Sequence, residues 1–370
     1  MVCLIINFNK EDLKKYEKLL DTKDINMSVA SMFMDYNTYI GVVDEKLMKR
    51  SKNEEEVYIN TFLDFFGINR RLKENREIIE KSIKPAVKKI DSSIIENDPY
   101  YKTIKIDSIQ DGNYFLGNIK YYPYQSFAYD DVEVLEDDYY REISKIGYFD
   151  HELPFLTISK DNVIWMSITP NETWTILPAI GRSSGKVITF GLGLGYYPFM
   201  CSLKEDVESV TIVEFDENII NLFKKHLLPL FPNKEKINVI HADAFKYCEE
   251  NNVNELFDFA YMDIWHGAED GLPFYFKFKK YEEKTHCKFE YWLEDSIIAL
   301  CRRCLLVVVE DVLNGATDDN FKIQENDIDE VINDLYFYTR DLEINSYSEL
   351  HNLLSRDSII NIIESIAKNK

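Results

Sequence analysis

The sequence runs to 370 residues with 45% hydrophobic side chains, 23 Phe and 24 Tyr among them, which is enough apolar material for a packed core and enough length for two or three domains. With 43 basic against 65 acidic residues the formal charge is −22, a balance that repels nucleic acid backbones and suits a neutral or cationic small molecule or a protein substrate. No run approaches the ~20 apolar residues of a membrane span, and the opening segment is too short and uncharged for a leader. The six cysteines, Cys3, Cys201, Cys248, Cys287, Cys301 and Cys304, are scattered, so a cytoplasmic protein with reduced thiols and no membrane partner is expected.

Residues 1–105 read as a charged, mainly helical accessory domain. Val57, Ile59, Phe62, Leu63, Phe65 and Phe66 form an apolar block, and Ile78, Ile79, Ile83 and Val87 recur at helical spacing until Asp98 and Pro99 end the pattern. No catalytic cluster occurs there, which leaves packing, homo-oligomer formation or a substrate lid as its use.

Residues 106–180 change to β character, with aromatic or β-branched runs at 114–122, 155–158 and 163–168. The last two read as a hairpin across Lys160, Asp161 and Asn162. The acidic run 130–138 reads as a solvated loop, with attraction of a polyamine or basic partner as the second reading. A polar and aromatic loop at 169–175 leads into a short apolar helix and could close over a site in the next domain. That makes Asn171, Glu172 and Trp174 secondary candidates, although a plain connector accounts for them equally well.

Residues 181–315 carry the organising stretch. An apolar run at 187–190 enters Gly191, Gly193 and Gly195, and a segment with Pro198 near its start follows, the pattern of strand, tight turn and helix. Glycines at such a turn let a ligand lie against the backbone where a Cβ would intrude. Runs at 209–213, 237–240, 257–262 and 304–309 read as further strands separated by helical stretches, which predicts an α/β fold with a doubly wound parallel sheet. Glu214, Asp243, Asp263 and Glu310 close or closely follow four of the five strands, and such sheets bind ligands beyond the carboxyl ends of their strands.

In these features, region 185–311 resembles the class I S-adenosylmethionine-dependent methyltransferase superfamily, with a layout closest to its spermidine-synthase-like members. The resemblance implies a Rossmann-like domain that binds S-adenosylmethionine. Gly191, Gly193 and Gly195 would pass under the methionine and ribose, and Glu214 would bridge the ribose hydroxyls. Asp243, followed by Ala244, would read the adenine, and Asp263 would face both cofactor and substrate. The competing dinucleotide motif requires a glycine where Tyr196 or Pro198 stands, and the acids after the third and fourth strands favour S-adenosylmethionine. No metal site is expected: Cys301 and Cys304 have no second pair, and they lie where a helix should pass into a buried strand.

Two departures qualify the resemblance. Aminopropyltransferases end the fourth strand in Asp-x-x-Asp, a carboxylate pair that helps to bind and deprotonate an amine, whereas here His266 holds the second position. His266 is therefore a candidate general base beside Asp263, or a hydrogen-bonded structural histidine. Trp265 and Tyr275 are candidates for a substrate wall. Beyond Asp311 the usual distal strands give way to a helical extension, 316–370, in which Ile328, Val331, Ile332 and Leu335 form one apolar stripe and 359–366 another. The expected activity is methyl transfer to a small molecule or protein, with aminopropyl transfer and a non-catalytic cofactor-binding protein as alternatives.

Overall fold

The computed structural model describes residues 4–282, 286–322 and 325–369; Cys3 and the first residues of the opening segment lie outside them. A five-stranded parallel sheet organises the molecule: β1 (Gly185–Phe190), β2 (Val207–Glu214), β3 (Ile237–His241), β4 (Phe259–Met262) and β5 (Lys288–Tyr291), in the spatial order β3-β2-β1-β4-β5. Val187, Ile188 and Phe190 in β1, Val210 and Ile212 in β2 and Ala260 and Met262 in β4 are inaccessible to solvent, so the central strands are covered on both faces and read as continuous apolar runs. Strand order reverses at β1, which pairs with β2 on one side and β4 on the other. The crevice beyond the ends of β1, β2 and β4 is therefore the switch point where such sheets bind ligands.

The fifth strand is not where the sequence places it. Residues 304–309 lie in the 20-residue helix Glu294–Leu313, and β5 is a short edge strand that precedes it. Ile297, Ile298, Cys301, Leu305, Val308 and Val309 are buried along this helix, at spacings that span its whole length. A short apolar run cannot by itself distinguish a buried helix from a buried strand, and the stripe starting at Ile297 lengthens the run to helical size. Glu310 accordingly closes no strand, and its carboxylate pairs with Lys23 at 2.6 Å. Cys301 and Cys304 are buried free thiols on the same helix.

Among the described residues no further strand joins the central sheet after β5. The chain continues in helices Asp327–Thr339, Tyr347–Leu353 and Arg356–Asn369, with Val331, Leu335, Ile359, Ile362, Ile363 and Ile366 turned into the core. Between the first two, Glu343–Ile344 pairs in parallel with Ile5–Ile6.

Ahead of the central sheet lie two smaller ones. Ile109–Asp111, Tyr114–Tyr121, Leu153–Lys160 and Val163–Ser167 form an antiparallel four-stranded sheet that contains the expected hairpin. Its turn residues Asp161 and Asn162 adopt φ of 51° and 65°, the left-handed conformation such hairpins need and Asn and Asp tolerate. The acidic run is no loop. Phe127–Leu135 is a strand paired with Arg141–Tyr148, and only Glu136–Asp138 turns away, as a short 3₁₀ segment.

The N-terminal residues fold around helices Lys10–Asn37 and Glu54–Phe65. Tyr58, Ile59, Phe62 and Leu63 pack with Phe33 and Tyr36 and with Ile143, Ile146 and Tyr148 of the three-stranded sheet, so this region shares its core with the β-rich segment. Val87, expected on a helix, opens the strand Val87–Lys89 of that sheet. Arg141, fully buried, binds Glu77 and Ser82 across the same boundary and Asp138 within its own segment. None of the described helices is long and apolar enough to cross a membrane.

Candidate active site

The glycine turn is shaped by close approaches. Gly191 has φ of 100°, and a Cβ there would stand 1.9 Å from the carbonyl oxygen of Asp263, so the ends of β1 and β4 can meet only around a glycine. At Gly193, φ is 51° and a Cβ would strike Met166 Sδ at 2.3 Å, because the hairpin strand Val163–Ser167 folds over the turn. Gly195 differs: it caps helix Tyr196–Ser202 with φ of 78° and abuts the Phe223 ring, so the structure places it in the core rather than at the cavity. The accessory region clamps the turn from outside, with Tyr100 donating to the Leu194 carbonyl at 2.6 Å and Tyr196 to Asp98 at 2.7 Å.

A cavity of about 750 Å³ opens beyond these strand ends, lined by Gly191, Gly193, Glu214, Asp243, Ala244, Asp263 and His266. Of the expected site residues it gathers all but Gly195. Glu214, at the end of β2, accepts from the backbone N–H groups of Leu192 at 3.0 Å and Asp216 at 2.8 Å, and so ties the glycine turn to the next strand. Asp243 caps helix Ala244–Glu250 by accepting from Lys246 N, and sits exposed on the rim.

Asp263 follows β4, held by its N–H donating to the Phe190 carbonyl at 2.9 Å. Burial, with the nearby charge of Glu172, holds its carboxyl well above the usual carboxylate range. Glu172 arrives from the short helix Pro170–Trp174 and lines the same cavity. Burial pushes it up to about 7, against a smaller opposing pull from His266. Two carboxyl groups of raised proton affinity thus line the same cavity, close enough for the charge of Glu172 to act on Asp263. Trp174 turns away to pack edge-on against Tyr129, and Asn171 contributes a carbonyl to Thr175, so of the three secondary candidates only Glu172 reaches the site.

His266 lines the mouth with its side chain 82% exposed, and Nδ1 lies 3.2 Å from Asp270 Oδ2. The same Asp270 carboxylate accepts from the backbone N–H groups of His266 and Gly267, so the imidazole is held on the helix start that follows it. Trp265 lines the cavity and donates from Nε1 to the Trp292 carbonyl. Tyr275 does not join it: fully buried, it donates to Glu294 at 2.7 Å and packs on Tyr291. The aromatic wall consists instead of Trp165, Phe215, Phe245, Phe274 and Trp292 with Trp265. Of these, sequence reasoning named Trp265 and missed the other five and Lys277, since no motif marks them; only the strand–turn–helix order that puts Phe215 after β2 and Phe245 after β3 offered a signal. Among the described residues no group of three His, Cys, Asp or Glu side chains converges on a metal position.

Strand order β3-β2-β1-β4-β5, a glycine turn after β1 and carboxylates after β2, β3 and β4 define one architecture. The central sheet has a Rossmann-like, doubly wound fold. No protein-family profile matches the chain. A segment of 84 residues is 36% identical to a polyamine aminopropyltransferase of Leptospira interrogans, spanning 21% of this chain and 16% of that protein. Similar solved structures include a spermidine synthase from Thermotoga maritima (TM-score 0.29, 13% identity, 39% of this chain and 57% of that one) and a putative O-methyltransferase from Klebsiella pneumoniae (TM-score 0.27, 12% identity, 45% and 64%). The chain spans less than two thirds of the length of each of these proteins.

Proposed function

We propose that this chain binds S-adenosylmethionine at the β1–β4 switch point and transfers its methyl group to an amine of a small molecule or protein. The observation that carries the reading is the Glu172–Asp263 carboxyl pair at one end of a cavity floored by Gly191 and Gly193. The residues suit the cofactor: Gly191 and Gly193 line the cavity with bare backbone, and Glu214 and Asp243 offer anionic acceptors for ribose hydroxyls and an exocyclic amine. When bound, it supplies a methyl group already activated by its sulfonium charge. The chain's own work is then positioning, exclusion of water and proton removal. Trp165, Met166 and Trp265 wall the cavity against solvent, Asp263 orients the incoming nitrogen, and Glu172, poised near neutrality, takes its proton.

The same carboxyl pair favours a second reading. Where His266 replaces the second aspartate of the aminopropyltransferase motif, Glu172 offers a second carboxyl from another element, and an 84-residue segment of the chain is similar to a polyamine aminopropyltransferase. Aminopropyl transfer from decarboxylated S-adenosylmethionine would use the same residues. The two are separated by incubating the protein with either cofactor and a panel of mono- and diamines, then weighing the amine products. Methylated amine formed from S-adenosylmethionine, and lost in Glu172→Gln, is the result expected. Aminopropylated diamine supports the second reading, and product from neither cofactor contradicts transferase function.

A further inference from the structure

Trp292 directly follows β5, and each of its polar groups is bonded to a different residue. Its N–H donates to the Met262 carbonyl at the end of β4, at 3.0 Å. Its carbonyl accepts from Trp265 Nε1 at 3.2 Å. Its indole N–H donates to Thr175 Oγ1 at 2.8 Å, and that hydroxyl donates onward to the Asn171 carbonyl at 2.5 Å.

Met262 immediately precedes Asp263, and Asn171 immediately precedes Glu172. Three hydrogen bonds therefore run from the backbone beside one carboxyl to the backbone beside the other, by way of Trp292 and Thr175. Trp292 is buried, where such bonds meet little competition from water, and it also lines the cavity that holds both carboxyls.

Neither end of this path is fixed by local preference. Helix Pro170–Trp174 is five residues long, far too short to hold its own shape, so the place of Glu172 depends on what the helix is tied to. Away from Trp292, the helix rests on the ring contact of Trp174 with Tyr129. Leu293, next in the chain after Trp292, has φ of 53°, a conformation that a branched side chain adopts only when its surroundings impose it.

We propose that Trp292, acting through Thr175, is the positioning residue that fixes the Glu172 helix against the end of β4 and so sets Glu172 beside Asp263. Its importance for catalysis rests on the proposed role of Glu172 in taking the proton of the amine; the tie itself can be tested without any reaction.

The titratable groups around Glu172 are Tyr261 in β4, Asp263 after it, His266 on the next loop and Tyr121 in the four-stranded sheet. Comparing each variant with the same variant carrying Glu172→Gln cancels their titration and leaves that of Glu172. Thermal melts of such pairs, across roughly pH 4 to 9, give the midpoint at which the stabilising contribution of Glu172 is lost. In the unaltered chain that midpoint is expected at about 7. Thr175→Val, which keeps the shape and removes the hydroxyl, and Trp292→Phe, which removes the indole N–H, let water reach the carboxyl, so the midpoint should fall by about one pH unit or more toward 4.5. Thr175→Ser keeps the hydroxyl and should hold the midpoint where it was. Where amine methylation is observed, the rising limb of its pH–rate profile should move with the midpoint; absence of any product counts against the proposed reaction and leaves the midpoints to decide on the tie. A midpoint unmoved in Thr175→Val or in a folded Trp292→Phe, or lowered equally by Thr175→Ser, would overturn the assignment.

Discussion

In the proposed reaction, Glu172 and Asp263 handle the proton of the attacking amine. A carboxyl lifted from 4.5 to about 7 is partly ionised at neutral pH and matched to accepting a proton there. Transfer to an amine should therefore speed up as pH rises through about 7 and level off above it, and Glu172→Gln should remove that limb of the profile. Stability should move the opposite way. Between 4.5 and about 7 the folded chain keeps a proton on Glu172 that the unfolded chain has released, so this group's contribution is fully present below 4.5 and lost as pH rises through about 7. The loss amounts to on the order of 3 kcal/mol, and thermal melts of Glu172→Gln should show correspondingly less decline across that window. Glu214 acts differently, since it anchors the turn through Leu192 and Asp216 as well as facing the ligand. Replacing it by Ala should weaken S-adenosylmethionine binding by about 1–3 kcal/mol, read by titration; unchanged affinity would remove it from the site.

At the scale of elements, the turn after β1 succeeds because two glycines admit close neighbours. Gly191→Ala forces a Cβ into the Asp263 carbonyl at a positive φ, and should lower stability by more than about 3 kcal/mol; Gly41→Ala, also at positive φ but with nothing nearby, should cost about 1 kcal/mol. Chemical denaturation of the two variants checks the contrast. The glycine turn and the acids after β2, β3 and β4 were legible in the sequence because strand, turn and ligand chemistry fall within a few consecutive residues. The helix Glu294–Leu313 was not, since Cys304, Leu305, Leu306, Val307, Val308 and Val309 form a run that fits a strand until burial from Ile297 onward is known. Glu172 was named only as a secondary candidate, because its value comes from a partner 91 positions away that folding brings into the same cavity. Trp292 and Lys277 carried no signal, their roles being set wholly by where β5 and helix Ala268–Lys279 pack.

Across the whole molecule, the regions before the central sheet are tied to one another by buried polar contacts as well as by apolar packing. Arg141 is inaccessible to solvent and makes hydrogen bonds to Glu77, Ser82 and Asp138, joining the N-terminal region to the β-rich segment. Arg141→Ala should destabilise the protein by about 2–4 kcal/mol, through lost hydrogen bonds and an unfilled volume, which denaturant titration will show. Asp98, Tyr100 and Tyr196 make the corresponding link to the glycine turn, so the regions outside the sheet hold the cavity floor in shape. This floor is proposed to bind an adenosyl sulfonium cofactor. That binding is tested most directly by calorimetric titration of the full chain with S-adenosylmethionine, S-adenosylhomocysteine, decarboxylated S-adenosylmethionine and NAD. Binding of the first two, weakened in Glu214→Ala, is the expected result; binding of NAD alone, or of none of the four, would contradict the proposed pocket.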